Sequence, residues 1–328
     1  MKSLTLSVVL CTYQGEAFLQ QQLESLLAQT RLPDEIVAGD DASTDGSWDM
    51  LQEFAVSAQL RGVQVKLHRQ SVNKGYVANF SDTLREASGD VLFLCDQDDV
   101  WYPAKLAEME GRFLADPSIT LICSNAQLVD AGGESLAYTL FDALGLKPHE
   151  WRAIEGGETF QVLLCRSMVT GATAAFRREL LDAALPVPEG WIHDEWLAMV
   201  ATVTGRVDAV RQALIDYRQH GENQIGMRRR TWCDKWRDLV APRHQQFSHE
   251  VSRMGVLRER LAGLGSKVPV LYLQQVDHRR QHFLRRLAIG KLPRYRRWFA
   301  VYAEAHRGYY KQYDTGMRSM LRDLMRRD

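Results

Sequence analysis

The chain has 328 residues, of which 45% are hydrophobic, with 41 basic and 41 acidic side chains. This composition is ordinary for a globular protein and excludes a disordered or collagen-like chain, and no run approaches the roughly 18 apolar residues of a membrane-spanning helix. The five cysteines form no CxxC pair, which argues against a zinc site or a disulfide framework and predicts reduced core cysteines in a cytoplasmic protein.

The first 130 residues alternate between strand-like and helix-like segments. Short apolar runs predict strands over residues 6–11, 35–39, 63–68, 91–95 and 119–128. Amphipathic stretches predict helices over residues 17–30, 47–61, 76–88 and 104–115. Strands that alternate with helices of this length are typical of βαβ units, so we expect a mostly parallel α/β sheet.

The alternation loosens after residue 130. We predict a turn at Gly132-Gly133, helices over 158–165 and 193–203, a strand over 168–176, and one or two strands over 207–217. Together these segments indicate an antiparallel extension of the parallel sheet. Beyond residue 228 the pattern is helical, with an apolar repeat at Tyr302, His306, Tyr309, Tyr313, Met317, Met320 and Leu324.

The balanced total charge conceals a strong asymmetry. Residues 228–328 contain 24 Lys and Arg against 9 Asp and Glu, so this part carries a net charge of +15 and residues 1–227 carry −15. We therefore predict two domains, 1–227 and a basic, mostly helical 228–328, joined near Met227-Arg228-Arg229-Arg230.

The acidic loop Asp96–Asp99, with sequence DQDD, follows the fourth predicted strand. Open α/β sheets bind ligands at the carboxyl edge of their parallel strands. Asp96 and Asp98 could therefore hold a divalent cation that also binds a diphosphate, because Mg²⁺ accepts one or two carboxylates together with phosphate oxygens. Alternatively, Asp98 or Asp99 caps a helix that begins near Pro103.

The first two predicted strands end at the same edge, in the loops Thr12–Glu16 and Asp40–Ser47. An acidic side chain there can accept hydrogen bonds from a nucleotide base or a ribose hydroxyl, although Asp, Ser, Thr and Gly also form ordinary turns. The chain lacks G-x-G-x-x-G and G-x-x-x-x-G-K-[ST], so neither a dinucleotide fold nor a P-loop is supported.

These segments resemble the ordered motifs of family 2 glycosyltransferases. The motifs are Val8–Tyr13, Asp40–Gly46, Asn73-Lys74-Gly75 and Asp96–Asp99. The resemblance covers about residues 4–227 and implies the Rossmann-like GT-A fold and an inverting, metal-dependent enzyme that uses nucleotide sugars. The chain departs from the pattern at Cys11, where many relatives have Pro.

A narrower set of segments is similar to bacterial rhamnosyltransferases of O-antigen and related surface polysaccharides. These segments are Asp96–Trp101, Trp191–Trp196 and Tyr217–Asn223. They imply transfer of L-rhamnose from dTDP-L-rhamnose to a saccharide hydroxyl, with an acceptor that is often linked to a lipid diphosphate. The alternatives are hexosyl transfer from a UDP-sugar and a non-catalytic scaffold that binds sugar or lipid.

The same resemblance assigns roles to the residues at this edge. Asp40 and Asp41 would contact the nucleotide, Asp96 would contact its ribose, and Asp98 would bind Mg²⁺ or Mn²⁺. Lys74 would assist the departing diphosphate. The donor site would also include three residues of the first loop, Thr12, Tyr13 and Glu16.

An inverting transfer also needs a base for the acceptor hydroxyl. We assign it to Asp194, with Glu195 as the second choice, because a carboxylate near aromatic walls can have a raised pKa. Glu195 is also a candidate acceptor contact. Asp194 could instead cap the helix 193–203. His220 could bind the metal or the diphosphate, or simply be solvated.

Three further side chains each carry two interpretations. Trp101 and Trp191 could stack on an apolar sugar face as acceptor contacts, or belong to the core. Arg218 could contact phosphate, or cover the sheet edge.

The basic tail has three interpretations. Arg and Lys among aromatic residues at helical spacing suit an anionic inner leaflet, nucleic acid, or docking on the acidic domain. We favour peripheral contact with the inner face of the cytoplasmic membrane and expect no nucleic acid, because no motif that reads nucleic acid is present.

Overall fold

The computed structural model describes residues 3–221 and 241–326. They form two compact units. The first comprises residues 3–159, 167–187 and 192–221, and the second comprises residues 160–166, 188–191 and 241–326. The predicted junction Met227-Arg228-Arg229-Arg230 and the motif end Glu222-Asn223 lie outside the described residues.

The first unit begins with four parallel strands and the helices between them. The strands are β1 Leu6–Thr12, β2 Glu35–Asp40, β3 Gln64–Arg69 and β4 Val91–Asp96, and the helices are α1 Glu16–Leu27, α2 Ser47–Leu60 and α3 Tyr76–Glu86. Their order across the sheet is β3-β2-β1-β4. The apolar strands β1, β2 and most of β4 are buried, which is typical of parallel strands covered on both faces.

The remaining strands of the first unit extend this sheet. They are β5 Val100–Trp101, β6 Ile119–Val129, β7 Ser135–Thr139, β8 Ala174–Arg177 and β9 Arg206–Arg218. Strand β8 runs antiparallel to both β4 and β6, whereas β9 runs parallel to β6. The helices here are α4 Lys105–Ala115, α5 Leu140–Leu144, α6 Pro148–Glu155, α7 Thr159–Cys165, α8 Leu180–Ala184 and α9 His193–Thr204. Most of α7 belongs to the second unit.

The predicted α/β sheet with an antiparallel extension is confirmed. The predicted strand 168–176 is mostly wrong, because Gly171–Thr173 forms a 3₁₀ turn and only Ala174–Arg177 pairs. The segment predicted as one or two strands is one strand, whose pairing with β6 has register shifts. The very short β5 was not predicted, although it pairs with β9 through Val100 and Asp216.

Strand register places the candidate site. Thr12 pairs with Asp40, and Cys11 pairs with Asp96, so the ends of β1, β2 and β4 lie side by side. The β5–β9 pair then brings the chain after Asp99 beside the end of β9. Residues more than a hundred positions apart therefore meet at one edge of the sheet.

The second unit is helical, as predicted. Its helices beyond residue 241 are α10 His244–Gly263, α11 Val270–Gly290, α12 Arg294–His306, α13 Tyr309–Tyr313 and α14 Met317–Met325. No helix in the described ranges is both long enough and apolar enough to cross a bilayer.

The predicted apolar repeat from Tyr302 to Leu324 does not form one buried face. Gly308 and Gly316 adopt positive φ values of 81° and 64°, which interrupt the helix before α13 and α14. Within the repeat Tyr302 and Met317 are 72% and 75% exposed and Tyr313 is buried, whereas Tyr310, outside the predicted repeat, is also buried.

A buried charge network lies in the core of the helical unit. Arg286 is completely buried and donates through Nε to Asp323 Oδ2 at 2.7 Å, and it also pairs with Asp314. The Tyr310 hydroxyl donates to the same Asp323 oxygen at 2.6 Å. The guanidinium carbon also lies 4.2 Å from the ring centre of Phe247. Arg286 thus joins several helices of this unit.

Replacing Arg286 with Met should destabilise the protein by about 3–5 kcal/mol, because the buried carboxylate of Asp323 loses its nearer cation and keeps only Arg326 Nε at 3.5 Å. Chemical denaturation of the full chain, followed by far-UV circular dichroism, measures this loss. The matched control is Arg294→Met on exposed α12, which should change stability by less than about 0.5 kcal/mol. Equal losses in the two variants would contradict the assigned role of Arg286.

Candidate functional site

The acidic loop lies between β4 and β5 and is tied to the loop after β1. Gln97 Oε1 accepts a hydrogen bond from Tyr13 N at 2.8 Å, and Gln97 Nε2 donates to Tyr13 O at 3.0 Å. The capping alternative for Asp98 and Asp99 is wrong, since α4 begins at Lys105 after Ala104 and has no side-chain cap. The loop is therefore held at the edge of the sheet.

Asp98 and His220 are direct neighbours, with His220 Nε2 2.7 Å from Asp98 Oδ2. Adjacent ligands of an octahedral Mg²⁺ or Mn²⁺ with bonds of 2.0–2.1 Å stand about 3 Å apart, so this pair fits two neighbouring ligand positions. Among the described residues no group of three His, Cys, Asp or Glu side chains could hold a metal ion. The other positions would therefore belong to diphosphate oxygens and water, as is usual for Mg²⁺.

Arg218 fastens this loop to the end of β9. The side chain is 3% exposed, and its Nε donates to Asp98 O at 2.8 Å while its backbone N donates to Asp99 Oδ1 at 3.1 Å. Its two terminal nitrogens donate to Ala131 O and Gln21 Oε1. The structure therefore gives Arg218 a positioning role in place of the phosphate contact, because the side chain is buried and each of its three nitrogens donates inside the protein.

A buried lysine lies behind the acidic loop. Lys105 is completely buried, donates through Nζ to Ala172 O at 2.7 Å, and places Nζ 3.6 Å from the ring centre of Trp101. Burial lowers the pKa of Lys105 to about 7, while Cys95, Asp99 and Asp96 oppose that shift. Nothing in the sequence distinguished Lys105 from an ordinary surface lysine near a helix start.

The acceptor contacts predicted for the two tryptophans are not supported. Trp101 is 2% exposed and Lys105 covers one face of its ring, so it is a core residue. Trp191 belongs to the second unit, is 6% exposed, and has the guanidinium carbon of Arg253 4.0 Å from its ring centre. Neither ring has an open face on which a sugar could stack.

Negative charge accumulates at the loop. Burial, together with the neighbouring Asp98 and Asp194, raises the pKa of Asp96 to about 7, and Lys105 opposes this shift. Burial also raises the pKa of Asp99, whose Oδ2 has no hydrogen-bond partner among the described residues. A cation at this edge would relieve the repulsion among these carboxylates. The ribose contact of Asp96 stays a prediction.

Asp40 holds the loops rather than facing solvent. It is completely buried, and its carboxylate accepts from Thr12 Oγ1 at 3.0 Å and from Ser43 N at 3.0 Å. Asp40 and the 2% exposed Thr12 therefore position these loops, and the direct nucleotide contacts predicted for both stay predictions.

Asp41 holds the next loop of the edge. It is 2% exposed and accepts from Lys74 N and Gly75 N, each at 2.8 Å. A base contact by Asp41 stays a prediction, since each carboxylate oxygen has a second lone pair.

The other predicted donor residues lie at the rim of this edge. The Tyr13 side chain is 45% exposed. Glu16 accepts from Gly46 N at 3.0 Å, which joins the loops after β1 and β2. Lys74 Nζ lies 3.0 Å from Asp82 Oδ2, an ion pair that a diphosphate would have to replace. All three donor roles stay predictions.

Asp194 lies in the first turn of α9 and is 8% exposed. Gly171 N donates to its Oδ2 at 2.8 Å, and Glu195 N donates to its Oδ1 at 2.7 Å. Burial raises the pKa of Asp194 to about 6, while these backbone hydrogen bonds act to lower it. The capping alternative is wrong, because Ile192 occupies the N-cap. Burial raises the pKa of Tyr76, and the charges of Asp194 and Glu195 also raise it. The Tyr76 phenol therefore lies close to both carboxylates.

His193 is a feature of the site that the sequence reasoning missed. It is 4% exposed and stacks on Phe80 at 4.2 Å between ring centres, and neither ring nitrogen has a hydrogen-bond partner in the part of the chain that the structure describes. Burial lowers the pKa of His193 to about 3, so the ring beside Asp194 is neutral. Its position next to the predicted base was the only available signal.

Comparison with known proteins gives a family match. The model of Glycosyl transferase family 2 matches residues 7–185. The chain is 27% identical over 230 residues to an uncharacterized glycosyltransferase of Nostoc sp., covering 66% of each chain. It is also 27% identical over 218 residues to an uncharacterized protein of Mycobacterium tuberculosis. That match covers 59% of the M. tuberculosis protein. Both matches therefore span less than two thirds of the relative's length.

A further relative is named for its activity. The chain is 24% identical over 258 residues to the dTDP-rhamnosyl transferase RfbG of Shigella flexneri, covering 75% of this chain and 83% of RfbG.

Two solved structures share the fold. TarS 1–349 of S. aureus in complex with UDP-GlcNAc superposes with a TM-score of 0.60 at 15% identity, covering 98% of this chain and 90% of TarS. The mannosyltransferase PcManGT of Pyrobaculum calidifontis, in complex with GDP-Man and Mn²⁺, gives 0.52 at 18% identity, covering 99% and 86%.

Proposed function

Because the chain belongs to glycosyl transferase family 2, we propose that it transfers a sugar from a nucleotide-diphosphate sugar to a saccharide hydroxyl, with inversion at the anomeric carbon. The observation that carries this proposal is the cluster at one sheet edge. The Asp98–His220 pair lies there, and the buried Asp194 is close enough to shift the pKa of Asp96.

The donor we propose is dTDP-L-rhamnose. RfbG supports it, since the similarity to that dTDP-rhamnosyl transferase extends over 75% of this chain. A UDP-sugar is the second candidate. This second donor is supported by 26% identity over 130 residues to WfgD of E. coli, which is named as a glucosyltransferase that uses UDP-Glc. The third candidate is a non-catalytic scaffold that binds sugar or lipid.

Asp98 and His220 are the residues that would hold Mg²⁺ or Mn²⁺. When bound, the ion supplies Lewis-acid stabilisation of the negative charge on the departing diphosphate. Arg218 helps to position both residues. Its side chain bonds the backbone of Asp98, and Arg218 itself ends β9, two residues before His220. The metal-bearing complex of PcManGT, which has the same fold, is consistent with a divalent ion here.

Asp194 would take the proton of the acceptor hydroxyl as its oxygen attacks the anomeric carbon. With a pKa of about 6 it is mostly ionised at neutral pH and still basic enough to accept the proton. The hydrogen bonds from Gly171 N and Glu195 N fix the orientation of its carboxylate. Glu195 is the alternative base.

A thermal-shift panel tests this function. With Mn²⁺ present, dTDP and dTDP-L-rhamnose should raise the melting temperature more than the UDP and GDP compounds do, because a ligand that binds only the native state stabilises it. A larger shift with a UDP-sugar would reassign the donor. No shift with any nucleotide would overturn transfer from a nucleotide sugar and leave the scaffold.

A further inference from the structure

Helix α12 exposes a continuous aromatic face. The face consists of Tyr295, Trp298, Phe299 and Tyr302, which are 68%, 65%, 80% and 72% exposed. Their spacing of three, four and seven residues places them within an arc of about 100° on the helix. The opposite side of α12 is buried through Arg297, Val301 and Glu304. The aromatic residues therefore point away from the core of the helical unit.

The charges around this aromatic face have one sign. Residues 291–307 contain a single acidic side chain, Glu304, which is 1% exposed and bonded to His282 Nδ1 at 2.7 Å. The exposed charged residues of this segment are all basic, namely Lys291, Arg294, Arg296 and Arg307. The surface is thus a row of aromatic rings flanked by cations.

Helix α14, which packs on α12, adds apolar surface. Met317, Leu321 and Met325 recur every four residues along one side of α14 and are 75%, 48% and 37% exposed. Single exposed apolar residues are common on proteins, but contiguous apolar surface marks an interaction site. The regular spacing places the exposed apolar side chains of each helix next to one another, so each helix carries contiguous apolar surface.

The chemistry of the surface favours a lipid bilayer. Trp and Tyr rings favour the membrane–water interface, where an apolar body meets a polar edge. Basic residues near an anionic leaflet are attracted to its headgroups. A nucleic acid would use the cations but leaves no reason for Phe299 and the methionines to be exposed. A helix lying in the plane of the interface uses both features.

We propose that the aromatic face of α12 is the surface through which this chain binds an anionic phospholipid bilayer. Trp298 and Phe299 enter the headgroup region, and Arg294 and Arg296 lie against lipid phosphates. This contact locates the membrane association that the basic composition suggests, and it does not depend on the identity of the donor or on the transfer reaction.

Flotation of the full chain with vesicles tests this surface without any substrate. The chain should float with vesicles of phosphatidylethanolamine and phosphatidylglycerol, less at high salt, and not with phosphatidylcholine alone. Trp298→Ser/Phe299→Ser should weaken binding at least about tenfold, and Arg294→Gln/Arg296→Gln by about fivefold per charge. The matched control is Val56→Ser/Leu60→Ser on α2, whose side chains are 61% and 85% exposed; it should bind like the parent.

Circular dichroism establishes that each variant is folded, and the milder Trp298→Ala replaces any variant that is not. No flotation of the parent, or equal flotation of the parent and the folded aromatic variant, overturns the proposal. Two other results also overturn it. In the first, the parent is a dimer and the aromatic variant is a monomer that still floats. In the second, the aromatic variant no longer binds single-stranded RNA but still floats.

Discussion

Asp194→Asn should lower kcat by about 10²–10⁴-fold while leaving donor binding largely unchanged. The amide oxygen can still accept the hydrogen bond that Gly171 N gives to Asp194 Oδ2, although the amide NH2 group cannot accept the one from Glu195 N, and an amide cannot take the proton of the acceptor hydroxyl. Steady-state kinetics gives kcat, and the thermal shift with donor and Mn²⁺ reports binding. If only donor binding weakened, Asp194 would not be the base.

The pH profile provides an independent check of this assignment. The base acts in its ionised form, and burial raises the pKa of Asp194 to about 6. In the parent, kcat/KM should therefore be constant near neutral pH and fall about tenfold per pH unit below pH 6. Glu195→Gln is the matched control and should keep both the rate and the profile. A collapse in that variant instead would move the role to Glu195.

Asp98→Ala should reduce transfer by about 10³-fold or more in the presence of Mn²⁺, because the Lewis-acid effect of a bound metal is worth several kcal/mol. The variant also loses the partner that lies 2.7 Å from His220 Nε2. Transfer measured across a Mn²⁺ titration gives both the residual rate and the metal concentration that it requires.

Asp49→Ala, which removes an exposed carboxylate from α2, is the matched control and should behave as the parent. Rates of Asp98→Ala that equal those of the parent at every Mn²⁺ concentration would end the metal-assisted mechanism.

The sequence predicted those parts of the site that follow a buried strand directly. The DQDD loop and the loops after β1 and β2 were expected at one edge because parallel strands share their carboxyl ends, and the register of Cys11 with Asp96 agrees. The match of the family model confirms the resemblance to family 2 glycosyltransferases. The helix predicted over residues 193–203 is present, and Asp194 lies in its first turn.

The sequence could not predict the contacts that depend on tertiary packing. Arg218 Nε reaches Asp98 O across 120 positions, and no local pattern indicates that distance. In the sequence Lys105 resembles a surface residue, but in the fold it is completely buried. No local pattern predicted that the Asp40 carboxylate accepts hydrogen bonds from Thr12 and Ser43. In the helical unit, Gly308 and Gly316 interrupt the helix, so the apolar repeat predicted as continuous does not form one helix face.

The short ladder between β5 and β9 has a consequence for how such proteins diverge. Main-chain pairing of Val100 with Asp216 and of Trp101 with Ile215 sets the separation of Asp98 and His220, so this separation does not depend on the length of the loops between them. Insertions in the turns between residues 130 and 190 should leave the separation of Asp98 and His220 unchanged.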